Sequence, residues 1–141
     1  MPFQFKKFVL RQSDQVFKFG TDAALLATWV ELRNSTNILE IGTGTGVITF
    51  MMAQRNHKNT YTAIDISKPA IELANENLRN FPLESNISLI HTAIQDLEID
   101  QKFDLVVSNP PFFENSTKSP SELKNTTRHT EVLPLTDLLL C

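Results

Sequence analysis

Hydrophobic positions along the chain form short runs whose spacing alternates between a strand pattern and a helix pattern. Four runs have the apolar character of buried strands: residues 37–41, 61–66, 87–90 and 103–107. Helical patterns precede and separate them, at residues 23–30, at residues 47–54 and after Ser67. Ser67 is expected to cap its helix, with Pro69 in the first turn, and Thr21 or Asp22 to cap the first helix. Strands that alternate with helices build crossover units around a parallel sheet, so the pattern predicts an α/β fold.

The first twenty residues carry a different pattern, in which strand-like residues surround a polar turn. Residues 3–9 and 16–19 are predicted to form two short strands, joined by a turn at 11–14. We therefore expect residues 1–20 to form a hairpin or extension, and residues 21–141 to belong to the α/β domain.

Composition places the chain among ordinary globular proteins. Its 141 residues suffice for one domain, and 41% of them are hydrophobic and 21% charged. A core of this size needs neither a disulfide nor a metal, and no metal is expected. The sequence has no run of about 18 apolar residues and no apolar leader, which predicts a cytoplasmic protein without a membrane partner. The lone cysteine, Cys141, agrees with a reducing compartment.

The net charge of −3 disfavours a nucleic-acid partner, but the charges are unevenly distributed. In the first eighteen residues Asp14 is the only acid beside four basic residues: Lys6, Lys7, Arg11 and Lys18. Such a segment suits a phosphate backbone, and it equally suits the solvated face of a hairpin. Charge alone leaves the partner open.

A glycine-rich turn follows the first buried-type strand, and it contains three of the four glycines: Gly42, Gly44 and Gly46. Glycine lets the backbone turn sharply and approach a ligand closely. The spacing G-x-G-x-G differs from the dinucleotide pattern G-x-G-x-x-G, and a carboxylate at Glu40 would repel phosphate. It would suit an ammonium group, which S-adenosylmethionine has. We therefore predict that Glu40 and the turn, including Thr43, bind S-adenosylmethionine; the alternative is a tight turn without a ligand.

Two acids follow later strands, where a parallel sheet binds its ligands. Asp65 ends the second buried-type strand, about twenty residues after the turn, and could accept hydrogen bonds from both ribose hydroxyls. Its neighbour Ile66 is expected to border the same cofactor. Asp96 follows the third strand and could accept from the adenine amino group. An acid in a solvated loop is an equally good interpretation of Asp96.

The sequence Asn109-Pro110-Pro111-Phe112-Phe113 follows the fourth strand and is the candidate catalytic loop. Two prolines end the strand and stiffen the loop. The Asn109 side-chain carbonyl and the Pro110 backbone carbonyl could accept both hydrogens of a planar amine. Phe112 or Phe113 could stack on a base. This arrangement favours methyl transfer to a planar amine, in which positioning supplies much of the acceleration; the alternative is a structural proline turn with core phenylalanines.

A polar loop over residues 114–127 leads to Arg128 and His129. A loop of that length is usually functional or disordered. Arg128 could contact a phosphate and His129 a base, and both are predicted to bind substrate. A mobile solvated loop with incidental charges is the alternative.

Taken together, these motifs resemble those of class I, Rossmann-like methyltransferases with an Asn-Pro-Pro-aromatic motif. In more detail, the chain resembles the bacterial tRNA adenine-N6 methyltransferases that modify the adenosine beside the anticodon of a valine tRNA. The similarity includes the opening 3–8, the stretch 18–23 with Trp29, the glycine turn, the Asn-Pro-Pro-Phe loop and Arg128-His129 before Leu133-Pro134-Leu135.

The resemblance implies a doubly wound, mostly parallel sheet, S-adenosylmethionine as cofactor and tRNA as substrate. It implicates Gly20, Thr21 and Asp22 in capping the cofactor pocket, and it places Asn109 beside the cofactor as well. Pro111 is carried over with Asn109, Pro110 and Phe112 as part of the catalytic motif. Enzymes that methylate guanine N2 in ribosomal RNA, or a glutamine side chain in release factors, use the same or a similar motif. These remain alternative functions, and a non-catalytic cofactor-binding module is a third.

The resemblance covers only the first part of such an enzyme, because the family fold needs about three more strands after the fourth. The chain is therefore expected to be the N-terminal half of the domain, truncated after the fourth sheet strand. The fourth strand would then be an exposed apolar edge, which favours self-association.

Overall fold

Four parallel strands form the central sheet of the computed structural model, which describes residues 2–83, 86–98 and 100–110. In chain order the elements are β1 (Phe3–Gln4), β2 (Val9–Leu10), α1 (Thr21–Trp29), β3 (Asn37–Ile41), α2 (Val47–Arg55), β4 (Thr60–Asp65), α3 (Lys68–Arg79), β5 (Asn86–His91), a 3-10 turn (Ile94–Asp96) and β6 (Leu105–Ser108). The predicted α/β fold with its parallel sheet is confirmed.

The strand order of the sheet is β5-β4-β3-β6. The chain runs outward from β3 through β4 to β5, and then returns to place β6 on the other side of β3. Ile41 is paired with Ile64 on one side and with Ser108 on the other, so three strands end at the same level. The reversal of direction at β3 creates a topological switch point, and ligands of open α/β sheets bind there.

The hydrophobic core packs one face of this sheet against the helices. Ile38 lies in register with Tyr61 and Leu105, so these side chains share a face. The main cluster of buried side chains comprises Phe8, Leu10, Ala23, Ala27, Leu32, Ile38, Val47, Ile48, Phe50, Met52, Ala53, Tyr61 and Val107. The core therefore joins the N-terminal segment, α1, α2 and the sheet.

Helix α3 forms as its sequence predicts. The Ser67 side chain accepts a hydrogen bond from the amide of Ala70 at 3.4 Å, and Pro69 lies in the first turn. Ala70, Ile71 and Ala74 are buried on one face of the helix. The amphipathic spacing thus fixes how α3 packs beside β4 and β5.

The predicted N-terminal hairpin is wrong in its second strand and its turn. β1 pairs antiparallel with β2 through a tight turn closed by the amide of Phe5 and the carbonyl of Phe8, at 2.8 Å. Residues 16–19 do not form a strand. Instead, the Phe19 ring packs edge-on against Phe3 at 5.2 Å between centroids. Alternation between apolar and polar residues reveals an extended segment but not the partner with which it pairs.

The predicted cap of α1 is also wrong. The N-cap residue is Gly20, in extended backbone, and no side chain caps the helix. Thr21 and Asp22 are the first two helical residues. The Asp22 side chain bonds elsewhere, to a residue at the end of β6.

Candidate active site

The glycine turn and Asn109 flank the switch point from its two sides. The turn follows β3 and leads into α2, whereas Asn109 follows β6. The Ser108 hydroxyl donates to the carbonyl of Ile41 at 3.0 Å, which joins the ends of the two strands. The sequence therefore folds so that a predicted cofactor motif and a predicted catalytic motif lie at one edge of the sheet.

Each glycine of the turn has a backbone conformation in the left-handed region, with φ of 77° at Gly42, 55° at Gly44 and 85° at Gly46. A methyl group at Gly42 or Gly44 would project into open space. A methyl group at Gly46 would instead collide with the ring of Phe50. The first two glycines thus keep the front of the turn clear for a ligand, and the third makes room inside the protein.

Backbone hydrogen bonds hold the turn against the end of β4. The amides of Gly42 and Thr43 both donate to the carbonyl of Ile64, at 2.9 and 3.0 Å. The amide of Gly44 donates to Asp65 Oδ2 at 2.8 Å. Three backbone amides therefore hold the turn against β4, two of them bonded to the Ile64 carbonyl and one to the Asp65 carboxylate.

Glu40 is buried beneath the turn, with 1% of its surface exposed. Its Oε2 accepts hydrogen bonds from the Thr43 hydroxyl at 2.9 Å, from the Thr49 amide at 3.1 Å and from the Thr49 hydroxyl. Its Oε1 has no partner among the described residues. Burial raises the pKa of Glu40 from 4.5 to about 7, although the bonds from Thr49 and Thr43 oppose this. Its contact with a cofactor ammonium stays a prediction.

Thr49 belongs to this site but was not predicted from the sequence. It is fully buried in the first turn of α2, and both its amide and its hydroxyl bind Glu40. A threonine among apolar residues, two positions after the start of the helix, was the only available signal in Val47-Ile48-Thr49-Phe50. A buried hydroxyl requires a partner, and Glu40 supplies it.

Asp65 is half-buried at the end of β4 and connects two loops. Besides the bond from Gly44, its Oδ1 accepts from the amide of Ser67 at 2.9 Å. Each carboxylate oxygen has lone pairs to accept a further donor. The neighbouring Ile66 is 47% exposed, so it has apolar surface to offer a ligand at this edge.

Asp96 lies past the end of β5, in the 3-10 turn Ile94–Asp96, and its side chain is exposed. Its amide donates to the carbonyl of Ala93 at 3.1 Å, which closes the turn. The structure thus places it on the same edge of the sheet as Asp65. Its contact with adenine stays a prediction.

Asn109 contacts the first turn of α1. Its Nδ2 donates to Asp22 Oδ2 at 2.7 Å, between residues 87 positions apart in the chain. The bond from Asn109 is the main reason that the pKa of Asp22 lies below its ordinary value of 3.8. Burial acts against it, and the amides of Asp22 and Ala23 lower the pKa further. A residue predicted for the cofactor pocket and a residue predicted for catalysis are therefore in direct contact.

Asn77 is a second buried polar residue that was not predicted from the sequence. It is buried on the core-facing side of α3, and its Nδ2 donates to the carbonyl of Thr45 at 3.0 Å and to that of Arg11 at 3.1 Å. Its Oδ1 accepts from the amide of Arg11 at 2.7 Å. The helical spacing offered a signal, because Asn77 falls three residues after the buried Ala74.

Several predicted residues lie outside the described part of the chain. They are Pro111, Phe112, Phe113, Arg128 and His129, together with the polar loop 114–127. Within the described ranges, no group of three or more metal-ligating side chains comes together. No helix there is long and apolar enough to cross a membrane.

Comparison with known proteins assigns the chain to a protein family. The sequence profile of the methyltransferase small domain matches residues 12–130. The chain belongs to the methyltransferase small domain family. The matched region contains the glycine turn, Asp65 and Asn109, and it extends through Arg128 and His129.

Two relatives align with nearly the whole of this chain. The tRNA1(Val) (adenine(37)-N6)-methyltransferase of Parabacteroides distasonis is 42% identical over 139 residues, which cover 97% of this chain and 58% of that protein. Its counterpart from Dyadobacter fermentans is 36% identical over 137 residues, covering 97% and 57%. The chain thus spans less than two thirds of the length of these relatives.

A solved structure supports the fold. A candidate methyltransferase from Thermoplasma acidophilum aligns with a TM-score of 0.51 and 30% identity, over 57% of this chain and 35% of that one. The Rossmann-like methyltransferase fold predicted from the motifs is confirmed.

Proposed function

We propose that this chain carries the cofactor site and the amine-orienting residue of a methyltransferase that modifies N6 of an adenine in tRNA, beside the anticodon. Relatives with that stated activity are 36% and 42% identical to it over 97% of its length. A tRNA substrate also implies that the protein works in the cytoplasm. The cofactor is S-adenosylmethionine, which supplies an electrophilic methyl group on a sulfonium.

The turn and its surroundings fit this cofactor. Gly42 and Gly44 leave open space in front of the backbone, where a ligand can approach closely. The buried Oε1 of Glu40 has no hydrogen-bond donor among the described residues, and an ammonium group supplies one. Asp65, at the end of the neighbouring strand, holds the ribose hydroxyls. Thr21, Thr43, Ile66 and Asp96 complete the proposed cofactor site. Gly20 and Gly46 serve it indirectly, because they make room for the side chains of Asp22 and Phe50.

Asn109 then orients the acceptor. The amino nitrogen of adenine is a poor nucleophile because its lone pair is delocalised into the ring. The Asn109 Oδ1 and the Pro110 carbonyl accept its two hydrogens, which directs the lone pair at the methyl group. The chain needs no strong base for this task, because positioning supplies much of the rate. Phe112 or Phe113 stacks on the base, and Arg128 and His129 contact the RNA.

The single observation that carries the proposal is the position of Asn109. It lies across the switch point from the glycine turn, and its side-chain nitrogen is already bonded to Asp22 at 2.7 Å. The carbonyl oxygen of the same amide is thereby the group left to accept a hydrogen bond from the substrate amine.

A labelling experiment tests the proposed function. The full-length protein is incubated with tritiated S-adenosylmethionine and total bacterial RNA, and the labelled nucleoside is identified after digestion. We expect N6-methyladenosine from tRNA. Asn109→Ala is expected to slow single-turnover transfer about 100-fold, because a misplaced amine loses its alignment, while cofactor affinity stays nearly constant.

The control is Asn80→Ala, which removes an exposed side-chain amide that donates to the Glu76 carbonyl at the end of α3. It is expected to transfer methyl groups at the wild-type rate. Label in N2-methylguanosine would replace the adenine assignment by its guanine alternative. A transfer rate within about threefold of wild type for Asn109→Ala would contradict its role, since even tenfold is only about 1.4 kcal/mol.

A further inference from the structure

The contact between Asp22 and Asn109 joins two motifs that the fold brings together from opposite ends of the described chain. Asp22 is the second residue of α1, and Asn109 immediately follows β6. The Nδ2-to-Oδ2 distance of 2.7 Å is short for an N–H···O bond and typical of one with a charged acceptor. Asp22 is exposed and Asn109 half-buried, so the bond lies at the open edge of the site.

This bond decides which end of the Asn109 amide faces the substrate. A primary amide has nearly the same shape after a half-turn, so packing alone does not distinguish its oxygen from its nitrogen. A carboxylate only accepts hydrogen bonds, and therefore binds the amide nitrogen and repels the oxygen. With the nitrogen held by Asp22, the oxygen is the group available to accept from an amine.

We propose that Asp22 is a positioning residue that locks the amide of Asn109 with its carbonyl oxygen directed at the acceptor amine. The proposal rests on the proposed function, because it assigns a task to Asn109 in methyl transfer. It also gives Asp22 a role different from direct contact with the cofactor, which the family resemblance implied.

Gly20 supplies independent support. Its φ of −99° is one that any residue adopts, so backbone freedom does not explain a glycine at this position. A methyl group at Gly20 would collide with Asp22 Oδ1, and among the described residues the Asp22 carboxyl is the only group it would approach within 4 Å. Gly20 therefore leaves room for one particular orientation of the Asp22 side chain. We infer that Gly20 and Asp22 act together on Asn109.

The hydrogen bond between Asp22 and Asn109 does not depend on pH in the physiological range. The hydrogen bond from Asn109 is the main reason that the pKa of Asp22 lies below its ordinary value of 3.8, against an opposing effect of burial. The carboxylate is thus ionised wherever the enzyme works, and its preference for the amide nitrogen does not change with pH.

Asp22→Ala and Gly20→Ala test the lock by two routes, one removing the carboxylate and the other displacing it. Both are expected to slow single-turnover methyl transfer about 10- to 100-fold, with the Kd for S-adenosylmethionine within about threefold of wild type. Asp22→Asn is expected to recover part of the rate, because its carbonyl can accept from Asn109. In the Asn109→Ala background, Asp22→Ala should have no further effect.

A readout without cofactor or RNA completes the test. The side-chain amide protons of Asn109, identified in an NMR spectrum by their loss in Asn109→Ala, should move upfield in Asp22→Ala and Gly20→Ala. The matched control is Asp104→Ala, since Asp104 is also an exposed acid, bonded to the amides of Thr36 and Asn37 before β6. Asp104→Ala should leave the Asn109 amide signal and the rate of methyl transfer as they are in the wild-type protein.

Two results would overturn the proposal. The first is a cofactor Kd that rises as steeply as the transfer rate falls, which would make Asp22 a cofactor ligand. The second is an Asn109 amide signal that does not respond to either variant. If the wild-type protein methylates no RNA, the proposed function fails instead, and the amide signal alone decides the positioning role.

Discussion

Glu40 is a buried residue whose two carboxylate oxygens have different surroundings. Its Oε2 accepts three hydrogen bonds from Thr43 and Thr49, while Oε1 remains unsatisfied within the described structure. A buried carboxylate in this state is unstable unless it is protonated or meets a cation. Before the cofactor binds, protonation is the favourable solution, in agreement with a pKa of about 7.

The pH dependence of folding stability tests this account of Glu40. Its pKa is about 7 in the folded protein against 4.5 for an ordinary glutamate, so between these values the folded chain holds a proton that the unfolded chain has released. The stability contributed by Glu40 is therefore complete below pH 4.5 and is lost as the pH rises through 7, by at most about 3 kcal/mol. Glu40→Gln mimics the protonated side chain and should not show this loss.

Urea denaturation at pH 5 and pH 8 provides the measurement. The difference in unfolding free energy between Glu40→Gln and wild type should shift in favour of the variant on going from pH 5 to pH 8, because other titrating groups cancel. Glu72→Gln, at a largely exposed site on α3, serves as the control and should follow wild type. Parallel curves for Glu40→Gln and wild type would show that Glu40 is ionised in the folded protein.

The sequence could place Glu40 at the ligand end of its strand, but it could not show where the side chain points. Period-two alternation puts Glu40 on the same face as Ile38, and that face is covered by α2. The hydrogen-bond partner of Glu40 on that side is Thr49, and no local motif in the sequence indicates this contact. The Asp22–Asn109 bond was beyond prediction for the same reason, since it depends on how α1 packs relative to β6.

At the scale of elements, the connection from β3 through the glycine turn to α2 divides its glycines between two tasks. Gly44 has open space in front of it and donates its amide to Asp65. Gly46, the N-cap of α2, lies against the ring of Phe50, one turn further along the helix. A spacing pattern treats these glycines as equivalent, whereas the structure does not.

Alanine substitutions should separate the two tasks. Gly46→Ala is expected to destabilise the fold by about 2–4 kcal/mol, because it combines a left-handed φ with a collision in the core. Gly44→Ala should cost about 1–2 kcal/mol for its φ alone. Its methyl group, however, should abolish most of the thermal stabilisation by S-adenosylhomocysteine, while Gly46→Ala should keep that stabilisation. Denaturant titrations and melting curves with and without this ligand provide the data; equal ligand-induced shifts in the two variants would contradict the division.

Element prediction succeeded where periodicity and capping agreed, and failed where pairing depended on distant residues. Helix α3 has a cap, a proline and an apolar face that indicate the same boundaries. Residues 16–19 alternate like a strand, yet Val16 packs with Ala70 and Leu73 of α3, and Phe19 packs with the aromatic rings of the hairpin. These contacts come from residues far apart in the sequence, so local pattern could not reveal them.

At the scale of the whole molecule, the N-terminal segment is joined to the methyltransferase core by aromatic packing and by one buried amide. The ring of Phe8 lies 5.4 Å from that of Phe81 and 6.3 Å from that of Phe50, edge-on in both cases. Asn77 adds direction to this packing, because it binds both the amide and the carbonyl of Arg11. Its third bond reaches Thr45 in the glycine turn. A single side chain thus links the N-terminal segment, α3 and the glycine turn.

Removing this link should destabilise the protein and loosen the turn together. Asn77→Ala leaves the Arg11 amide and two carbonyls without their buried partner, and at about 1 kcal/mol for each bond we expect a loss of about 2–4 kcal/mol in unfolding free energy. Hydrogen exchange should rise both at Arg11 and in the glycine turn, even though the two are distant in sequence. Asn80→Ala, at the exposed C-cap of the same helix, is the matched control and should change the free energy by less than about 0.5 kcal/mol. Faster exchange at Arg11 with an unchanged glycine turn would mean that Asn77 only anchors the N-terminal segment. Faster exchange at both sites would show that the N-terminal segment and the glycine turn are stabilised as one unit. Deletion of the hairpin would then weaken cofactor binding, although it removes no residue that is proposed to contact the ligand.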